Sequence, residues 1–326
     1  MQTGVAYFGN RMRHYVYQDM VDIKRSGFTY VVHTFSENDL LYYADSMRDI
    51  VQDAQGLGLQ VYLDPWGVGG VFGGEAFSRW LVTHRDILQV RRNGTKADGA
   101  CFNNPRFRGL IGQWLQAAAA TGANGIIWDE PHWAATGEQA GGWCCACPVC
   151  RDLYGRDMPR EINAASVAFR NAGLKDFLSF ATHEAAALGL RNVVCLLPDE
   201  FFSLPGLEWS QVAALPDVHV LAADPYWYCF KQPASAFVRR YGERVLSLAD
   251  RYHKQAQLWV QAFRVPPGRE GEIMEAFAVF RALGVRDVAC WGYKACAHMA
   301  YLRPKNAQKV WACVLRGMQS LACARA

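Results

Sequence analysis

The sequence has no uninterrupted apolar run close to the roughly 18 residues that a membrane-spanning helix requires. It also has no basic stripe, because its 34 Lys plus Arg are scattered among 30 Asp plus Glu in a chain of 326 residues. The densest basic pairs are only Arg91-Arg92 and Arg239-Arg240. The composition therefore predicts neither a membrane protein nor a nucleic-acid-binding one. With 51% hydrophobic and 20% charged residues, it also excludes a disordered chain.

Two further absences bear on the compartment. The residues from Met1 to Phe8 lack the basic segment that opens a secretory signal peptide. The 11 cysteines are an odd number, and Cys195, Cys229 and Cys290 lie inside apolar runs. Scattered cysteines of this kind favour a reducing compartment over a framework of disulfides. We therefore expect a cytoplasmic protein.

Short β-branched and aromatic runs alternate with segments of helical period along the whole chain. Several runs follow a helix end that contains glycine, such as Gly56-Leu57-Gly58 or Leu283-Gly284. Eight strands are expected near residues 4–9, 28–35, 59–64, 124–129, 192–198, 218–224, 257–263 and 286–292. Because these runs are too apolar to have a face in water, they predict one (β/α)₈ barrel domain over residues 1–326.

An open doubly wound sheet is the alternative fold, but no Gly-x-Gly-x-x-Gly turn follows the first strand. The glycine-rich segment from Gly67 to Gly74 lacks the Lys-Ser/Thr of a phosphate loop, which favours a tight active-site turn. The two longest strand spacings adjoin each other, so residues 65–104 and 130–160 are expected as inserted loops. In a barrel of this class, such loops form the active-site face.

Four cysteines fall in these two loops. Cys101 lies at the end of the first, and Cys145-x-Cys147-x-x-Cys150 lies in the second. Four thiolates supply the ligands of a tetrahedral Zn²⁺ that is closed to substrate and therefore structural. Unrelated loop thiols, a disulfide pair and an iron–sulfur cluster are the alternatives, and Cys144 is a possible substitute for Cys145.

This cysteine arrangement resembles the zinc site of the glycoside hydrolase family 42 β-galactosidases. The resemblance implies that Glu130, in Trp128-Asp129-Glu130-Pro131, is the acid/base glutamate that closes the fourth strand. Two departures limit it. Asp129 stands where the family has asparagine, and the seventh strand ends without the glutamate that serves the family as nucleophile. We therefore expect a related fold and chemistry, not β-galactosidase activity.

Acidic residues stand at the ends of four predicted strands, followed at once by proline or aromatic residues. Carboxylates beside indole and phenol rings are typical of a sugar-binding cleft. The candidate catalytic residues are Asp64, Asp129, Glu130, Glu200 and Asp224. The candidate substrate-binding residues are His33, Glu37, Trp66, Trp128, His132, Trp133, Tyr226, Trp227, Trp291 and Tyr293. For His33 a place in the core is the alternative, and for Glu37 the cap of the next helix.

Glycoside hydrolysis needs a carboxyl group that protonates the leaving group and a second group on the other face of the sugar. Glu130 is the predicted acid, and Asp224 or Glu200 is its predicted partner as nucleophile or base. A third option is Asp129, because the Asp129-Glu130 pair resembles that of hexosaminidases that use the acetamido group of their substrate. Neighbouring strand residues point to opposite faces, so this pair converges only if the strand bends.

The predicted function is hydrolysis of a small oligosaccharide or glycoside, with a carbohydrate as the binding partner. A barrel that binds sugar without catalysis is one alternative, motivated by the missing acid on the seventh strand. A metal-dependent barrel hydrolase or isomerase is the other. It is weakened by the absence of His-x-His or His-Glu-x-x-His spacing.

Overall fold

A closed barrel of eight parallel strands forms the centre of the computed structural model, which describes residues 1–134, 145–155, 158, 162–201 and 205–323. The strands are β1 (Gln2–Tyr7), β2 (Tyr30–Thr34), β3 (Gln60–Asp64), β4 (Leu88–Val90), β5 (Lys96–Ala100), β6 (Gly125–Asp129), β7 (Arg191–Leu196), β8 (Val220–Ala223), β9 (Gln255–Gln261) and β10 (Asp287–Trp291). The barrel runs β1-β2-β3-β6-β7-β8-β9-β10 and closes where β10 pairs with β1. The predicted (β/α)₈ barrel is confirmed, and its fourth to eighth strands are β6 to β10.

The described helices surround this barrel. They are α1 (Arg13–Arg25), α2 (Glu37–Tyr42), α3 (Ala44–Gly56), α4 (Trp80–Thr83), α5 (Pro105–Ala120), α6 (Pro148–Tyr154), α7 (Ala164–Ala187), α8 (Trp209–Ala213), α9 (Ala234–Arg251), α10 (Glu272–Ala282) and α11 (Ala307–Cys323). Among them, α5 begins as its sequence predicts. The Asn104 side chain caps its first turn, and Pro105 occupies the first helical position.

Two apolar layers result from the alternation of side chains along each strand. In β2, for example, Tyr30 and Val32 point into the barrel, whereas Val31 packs outward against the helices. Every residue of β2 is buried, because the strand is covered on both faces. A residue at the end of a strand therefore faces either the open mouth of the barrel or the helix layer. Two residues that are neighbours in the chain face opposite sides.

Both predicted inserted loops contain regular structure of their own. Residues 65–104 include the antiparallel hairpin β4–β5, and residues 130–160 include α6, which follows Cys147. The glycine-rich turn before the hairpin needs glycine, since Gly67, Gly69 and Gly70 all have positive φ angles. Cys144 lies outside the described residues.

None of the helices within the described ranges combines the length and the apolar character needed to cross a bilayer.

Candidate active site

Three aspartates enclose the carboxyl end of the barrel from different strands. Asp64 ends β3, Asp129 ends β6, and Asp224 directly follows β8. Asp64 and Asp224 are 1% and 2% exposed, so both carboxyl groups are almost fully withdrawn from water. The charges of Asp129 and Glu130 act on both of them, which shows that the acids form one group. This group lies at the mouth, where barrel enzymes have their active sites.

Glu130 joins this group because the chain bends sharply after β6. Its φ angle is 44°, in the left-handed region that residues other than glycine rarely adopt. Its amide N–H donates to the carbonyl oxygen of Cys195 at 3.0 Å, which fixes the bend against β7. The condition that the sequence set for the Asp129-Glu130 pair, a bend in the strand, is therefore present.

Gly73 marks the point where the two carboxylates meet. A Cβ atom at Gly73 would lie 2.4 Å from Oδ2 of Asp129 and 2.8 Å from Oε2 of Glu130. The Gly73 amide also donates to the main-chain oxygen of Asp129 at 3.0 Å. The glycine-rich loop thus passes directly over the acids, and it can do so only because this position has no side chain.

The acids of the mouth resist ionisation. Burial raises the pKa of Asp64, Asp129 and Asp224 well above the ordinary value, and the charge of Glu130 raises each further. For Asp224, a hydrogen bond with the Glu130 carboxyl group adds to the increase in pKa. The three aspartates therefore keep their protons to a pH at which an isolated aspartate would have lost its proton.

Stacked aromatic rings line the mouth beside the acids. Phe8 stacks on Trp66 with ring centroids 5.7 Å apart and on Trp291 with centroids 5.3 Å apart. Tyr226 meets Phe263 edge to face at 5.0 Å. Trp66 and Tyr226 are partly exposed and therefore accessible from the mouth. The arrangement offers ring faces to an apolar sugar surface next to carboxylates that bind hydroxyl groups.

The seventh barrel strand, β9, contributes an amide where the resembling family has a nucleophile. Gln261 is fully buried, and its side-chain amide donates to the carbonyl oxygen of Phe263 at 3.1 Å. Its side-chain oxygen accepts the backbone N–H of Tyr228 at 3.1 Å. Gln261 thus holds the turn after β8 in place and supplies no carboxylate.

Four predicted substrate-binding aromatics lie away from the mouth, so these predictions were wrong. Trp128 points outward from β6 and donates to the side chain of Asn192. Trp133 donates to the carbonyl oxygen of Arg170 on α7. Trp227 donates to Glu272 on α10, and Tyr293 donates to Asp19 and Asp22 on α1. In each case the ring fills the layer between barrel and helices.

His33 has the core position that was the alternative to substrate binding, and the predicted role of Glu200 was wrong. His33 is fully buried on the outward face of β2 against the Tyr7 ring, and burial lowers its pKa to about 3. Glu200 lies on the far side of β7, bonded to Arg240 and Tyr241 of α9. Burial acts to raise its pKa, but the hydrogen bond from Tyr241 and the Arg240 guanidinium lower it overall. Glu200 therefore cannot face Glu130 across the mouth.

Glu37 neither contacts the mouth nor caps α2, so both interpretations were wrong. Ser36 is the cap, in a capping box with Asp39. The buried Glu37 carboxylate instead accepts hydrogen bonds from Gly69 N at 2.9 Å, Ser78 Oγ at 2.6 Å and Trp80 N at 2.6 Å. It fastens the glycine-rich loop to the barrel.

His132 stays near the acids, since its Nδ1 lies 2.6 Å from the main-chain oxygen of Glu130. Its ring meets Phe201 edge to face at 5.4 Å. This places the partly exposed imidazole at the rim of the mouth.

The four cysteines Cys101, Cys145, Cys147 and Cys150 come together in one buried cluster. Their sulfur atoms all lie within 4.8 Å of one another, with Cys101 and Cys150 3.4 Å apart. Each is a free thiol. Backbone N–H groups donate to the sulfurs, from Val90 and Cys147 to Cys145 and from Cys150 to Cys147. The cluster joins the β4–β5 hairpin to α6.

This donor set fits a tetrahedral metal ion. At a metal–sulfur distance of about 2.3 Å, the sulfurs of a tetrahedral site lie about 3.8 Å apart, close to the spacing in the cluster. The N–H donors favour the thiolate form that binds metal. Four buried cysteines can therefore hold a metal ion here. Within the described ranges, no other set of three or more cysteine, histidine or acidic side chains has its ligand atoms this close together.

Comparison with solved structures shows the fold that this chain shares. A β-galactosidase from the psychrophilic Marinomonas ef1 superimposes with a TM-score of 0.69 at 12% identity, over 98% of this chain and 59% of that chain. A GH5_18 structure from Streptomyces cattleya, in complex with GlcNAc, gives 0.63 at 12% identity, over 99% and 80%. A D-psicose 3-epimerase gives 0.54 at 10% identity, over 98% of each chain.

The chain shares its barrel fold with glycoside hydrolases and with an epimerase. It spans about three fifths of the length of the β-galactosidase that it matches. No protein-family model and no curated protein matches it. At these identities the likeness shows the fold alone, and the epimerase shares that fold as well. The chemistry must therefore be argued from the residues of the mouth.

Residues that the sequence analysis missed include Phe8 and Arg264. Phe8 directly follows β1 and belongs to the stacked ring group, and an aromatic residue just after the first strand was the available signal. Arg264 stands near Glu75 at the rim, where its charge lowers the pKa of Glu75 against the larger effect of burial, which raises it. No sequence pattern indicated Arg264.

Proposed function

We propose that the protein is a glycoside hydrolase whose general acid is Glu130. One observation carries the proposal: the carboxyl groups of Glu130 and Asp129 converge on Gly73, and that of Asp224 interacts with Glu130, inside a mouth walled by aromatic rings. A carboxyl group beside an accessible ring surface is what protonation of a glycosidic oxygen requires. The barrel that this chain shares with glycoside hydrolases supports the proposal by analogy.

Asp224 is the proposed partner of Glu130. Retaining enzymes hold their two carboxyl groups about 5–5.5 Å apart and inverting enzymes about 6.5–9.5 Å apart. The carboxyl groups of Asp224 and Glu130 interact directly, and we propose that the sugar enters between them and sets their separation. Asp129 is the second option for the partner role, because its carboxyl group lies beside Gly73 together with that of Glu130. Asp64 completes the group as a substrate ligand.

The cysteine cluster has a structural role in this proposal, with Zn²⁺ as its metal. The Ala134 N–H, four residues after Glu130, donates to the side-chain oxygen of Gln89 at 3.2 Å. The neighbouring Val90 bonds to Cys145 and Ala146. The cluster therefore holds the hairpin that supports the segment after the acid. Zinc would supply no chemistry at the mouth, because four thiolates leave it no open position.

The substitution Glu130→Gln tests the proposal against aryl glycosides of common sugars. It removes the proton donor but keeps the shape of the side chain, so kcat should fall by about 10²–10⁴-fold while sugar binding is kept. Glycosides with good leaving groups should suffer least, because they need little protonation. Release of the aryl alcohol, followed by absorbance, measures this directly.

Glu243→Gln is the matched control, since Glu243 is exposed on α9 far from the mouth. It should leave kcat unchanged. Unaltered turnover in Glu130→Gln would refute the role of Glu130, and a wild-type protein that binds sugars without cleaving any would refute the enzyme. The partner is then identified by Asp224→Asn and Asp129→Asn, because loss of a nucleophile is rescued by azide with a glycosyl azide of inverted configuration as the product, whereas loss of a substrate ligand is not rescued.

A further inference from the structure

The side-chain carboxyl group of Asp64 has no hydrogen-bond partner among the described residues. It is 1% exposed at the floor of the mouth, and neither of its carboxyl oxygens accepts a hydrogen bond from any residue that the structure describes. Its main-chain oxygen, in contrast, accepts the N–H groups of Phe35 and Trp66 at 2.7 Å each. Burying a carboxyl group that accepts no hydrogen bond from the protein lowers the free energy of unfolding. Both carboxyl oxygens of Asp64 can therefore accept hydrogen bonds from a ligand.

The surroundings of Asp64 specify the charge of that ligand. The side chains that act on it most strongly are all acids, namely Asp129, Glu130 and Glu75. The cation near this group, Arg264, is placed at the rim and acts on Glu75. A neutral ligand would leave the mutual repulsion of these acids in place. A cationic ligand would relieve the repulsion and supply the missing donors.

We propose that the substrate is a glycoside of an amino sugar with a free, protonated amine, and that Asp64 binds this ammonium group. The inference rests on the proposed glycosidase function and names its substrate class. An ammonium group has three donors and no acceptor, so it suits two orphaned carboxyl oxygens. A sugar hydroxyl brings one donor together with acceptor lone pairs that face acids here.

A divalent metal ion is the other cation to consider for this position. Such an ion takes several oxygen ligands at short range. Among the described residues, however, no three carboxylates at the mouth have oxygens within 4.8 Å of one another. An organic ammonium does not need a closed shell of ligands, and the partly exposed indole ring of Trp66, two residues after Asp64, is favourable to a cation.

Calorimetric titration of the wild-type protein with D-glucosamine, D-glucose and N-acetyl-D-glucosamine tests the inference. The first sugar carries the charge, and the other two are neutral controls of similar shape. D-glucosamine should bind at least about tenfold more tightly, because charge-assisted hydrogen bonds are roughly twice as strong as neutral ones. Its binding should also release protons, since an ammonium ion stabilises the ionised form of acids that are partly protonated in the free protein.

Asp64→Asn should abolish the preference for D-glucosamine and the proton release. Asp199→Asn is the matched control, because Asp199 is exposed and paired with Arg244 outside the mouth. That variant should keep both effects. Proton release by the wild-type protein, read in buffers of different ionisation enthalpy, tests the inference even if Asp64→Asn does not fold.

Equal binding of the three sugars, or a preference that survives Asp64→Asn, would overturn the inference. Displacement of D-glucosamine by low concentrations of Mn²⁺ or Mg²⁺ would overturn it in favour of a metal site. The two proposals fail separately. Cleavage of neutral glycosides without a preference for the amine refutes only the substrate class, whereas preferential binding of D-glucosamine without any turnover refutes only the hydrolase.

Discussion

At the scale of single residues, the direction of each side chain decides which strand-end residues belong to the mouth. Asp129 points inward and Trp128, one position earlier, points outward to Asn192. Tyr226 turns inward and Trp227 turns outward to α10. The alternation of side chains along a strand explains why only some of the acidic and aromatic residues at the strand ends lie at the mouth.

Gly73→Ala should abolish activity while the barrel still folds. The added Cβ would lie 2.4 Å from Oδ2 of Asp129, so the loop or the acids must move. A displacement of about 1 Å can cost about 10²-fold in rate. Gly112→Ala in α5 is the control, because no atom lies within 4 Å of its added Cβ, and alanine should stabilise the helix by about 0.5–1 kcal/mol. Full activity in Gly73→Ala would contradict the placement of the loop.

Asp287 should make the protein less stable as the pH rises from about 4 to about 6. Burial raises its pKa to about 6, while Tyr30 and Gln257 donate hydrogen bonds to it. The unfolded chain ionises at about 3.9, so it loses its proton first, and the folded state is penalised by up to about 3 kcal/mol at neutral pH. Below pH 4 both states keep the proton, and the penalty vanishes.

Urea unfolding of the wild-type protein and Asp287→Asn at about pH 4 and about pH 7 measures this effect. Asparagine does not titrate, so the variant should gain stability relative to the wild type between the two pH values. An unchanged difference would show that Asp287 titrates normally.

At the scale of elements, a buried carboxylate positions a loop that carries no catalytic group of its own. Glu37 on α2 accepts three hydrogen bonds from the segment between Gly69 and Trp80. The same segment pairs with the chain after β6 through Gly73 N to Asp129 O and His132 N to Val71 O. The loop thus connects α2 to the bend at Glu130.

Glu37→Gln should loosen this loop and lower the free energy of unfolding by about 1–3 kcal/mol, because the amide presents donors to backbone N–H groups. Hydrogen exchange at residues 67–80 should accelerate far more than at β9 or β10. Asp49→Asn, exposed on α3, is a control that should change neither. If the amides of residues 67–80 exchanged equally slowly in both variants, Glu37 would not be the residue that holds the loop in place.

At the scale of the whole molecule, the barrel contacts and the cysteine cluster stabilise different parts of the chain. The barrel closes through β10 and β1 without help from the inserted loops. The cluster instead links Cys101 of the third loop to three cysteines of the fourth. The two loops should therefore depend on the metal, and the barrel should not.

Removal of the metal by a chelator should leave the far-ultraviolet circular dichroism of the barrel nearly unchanged. Hydrogen exchange should rise at residues 88–101 and 145–155, and activity should fall with it, because Ala134 loses its support. Cys101→Ser should reproduce these effects, whereas Cys313→Ser, in buried α11, should not change the metal content. Collapse of the whole barrel on chelation would show that the cluster is needed for the fold itself.

The sequence by itself determined the barrel, because eight apolar runs covered on both faces leave few other ways to bury them. It also determined the cysteine cluster, since the spacing from Cys145 to Cys150 needs only one turn of chain to bring three sulfurs together. Only the tertiary structure decided the composition of the mouth. The bend at Glu130, the absence of a side chain at Gly73 and the outward turn of Glu200 depend on contacts between distant strands, which no local pattern records.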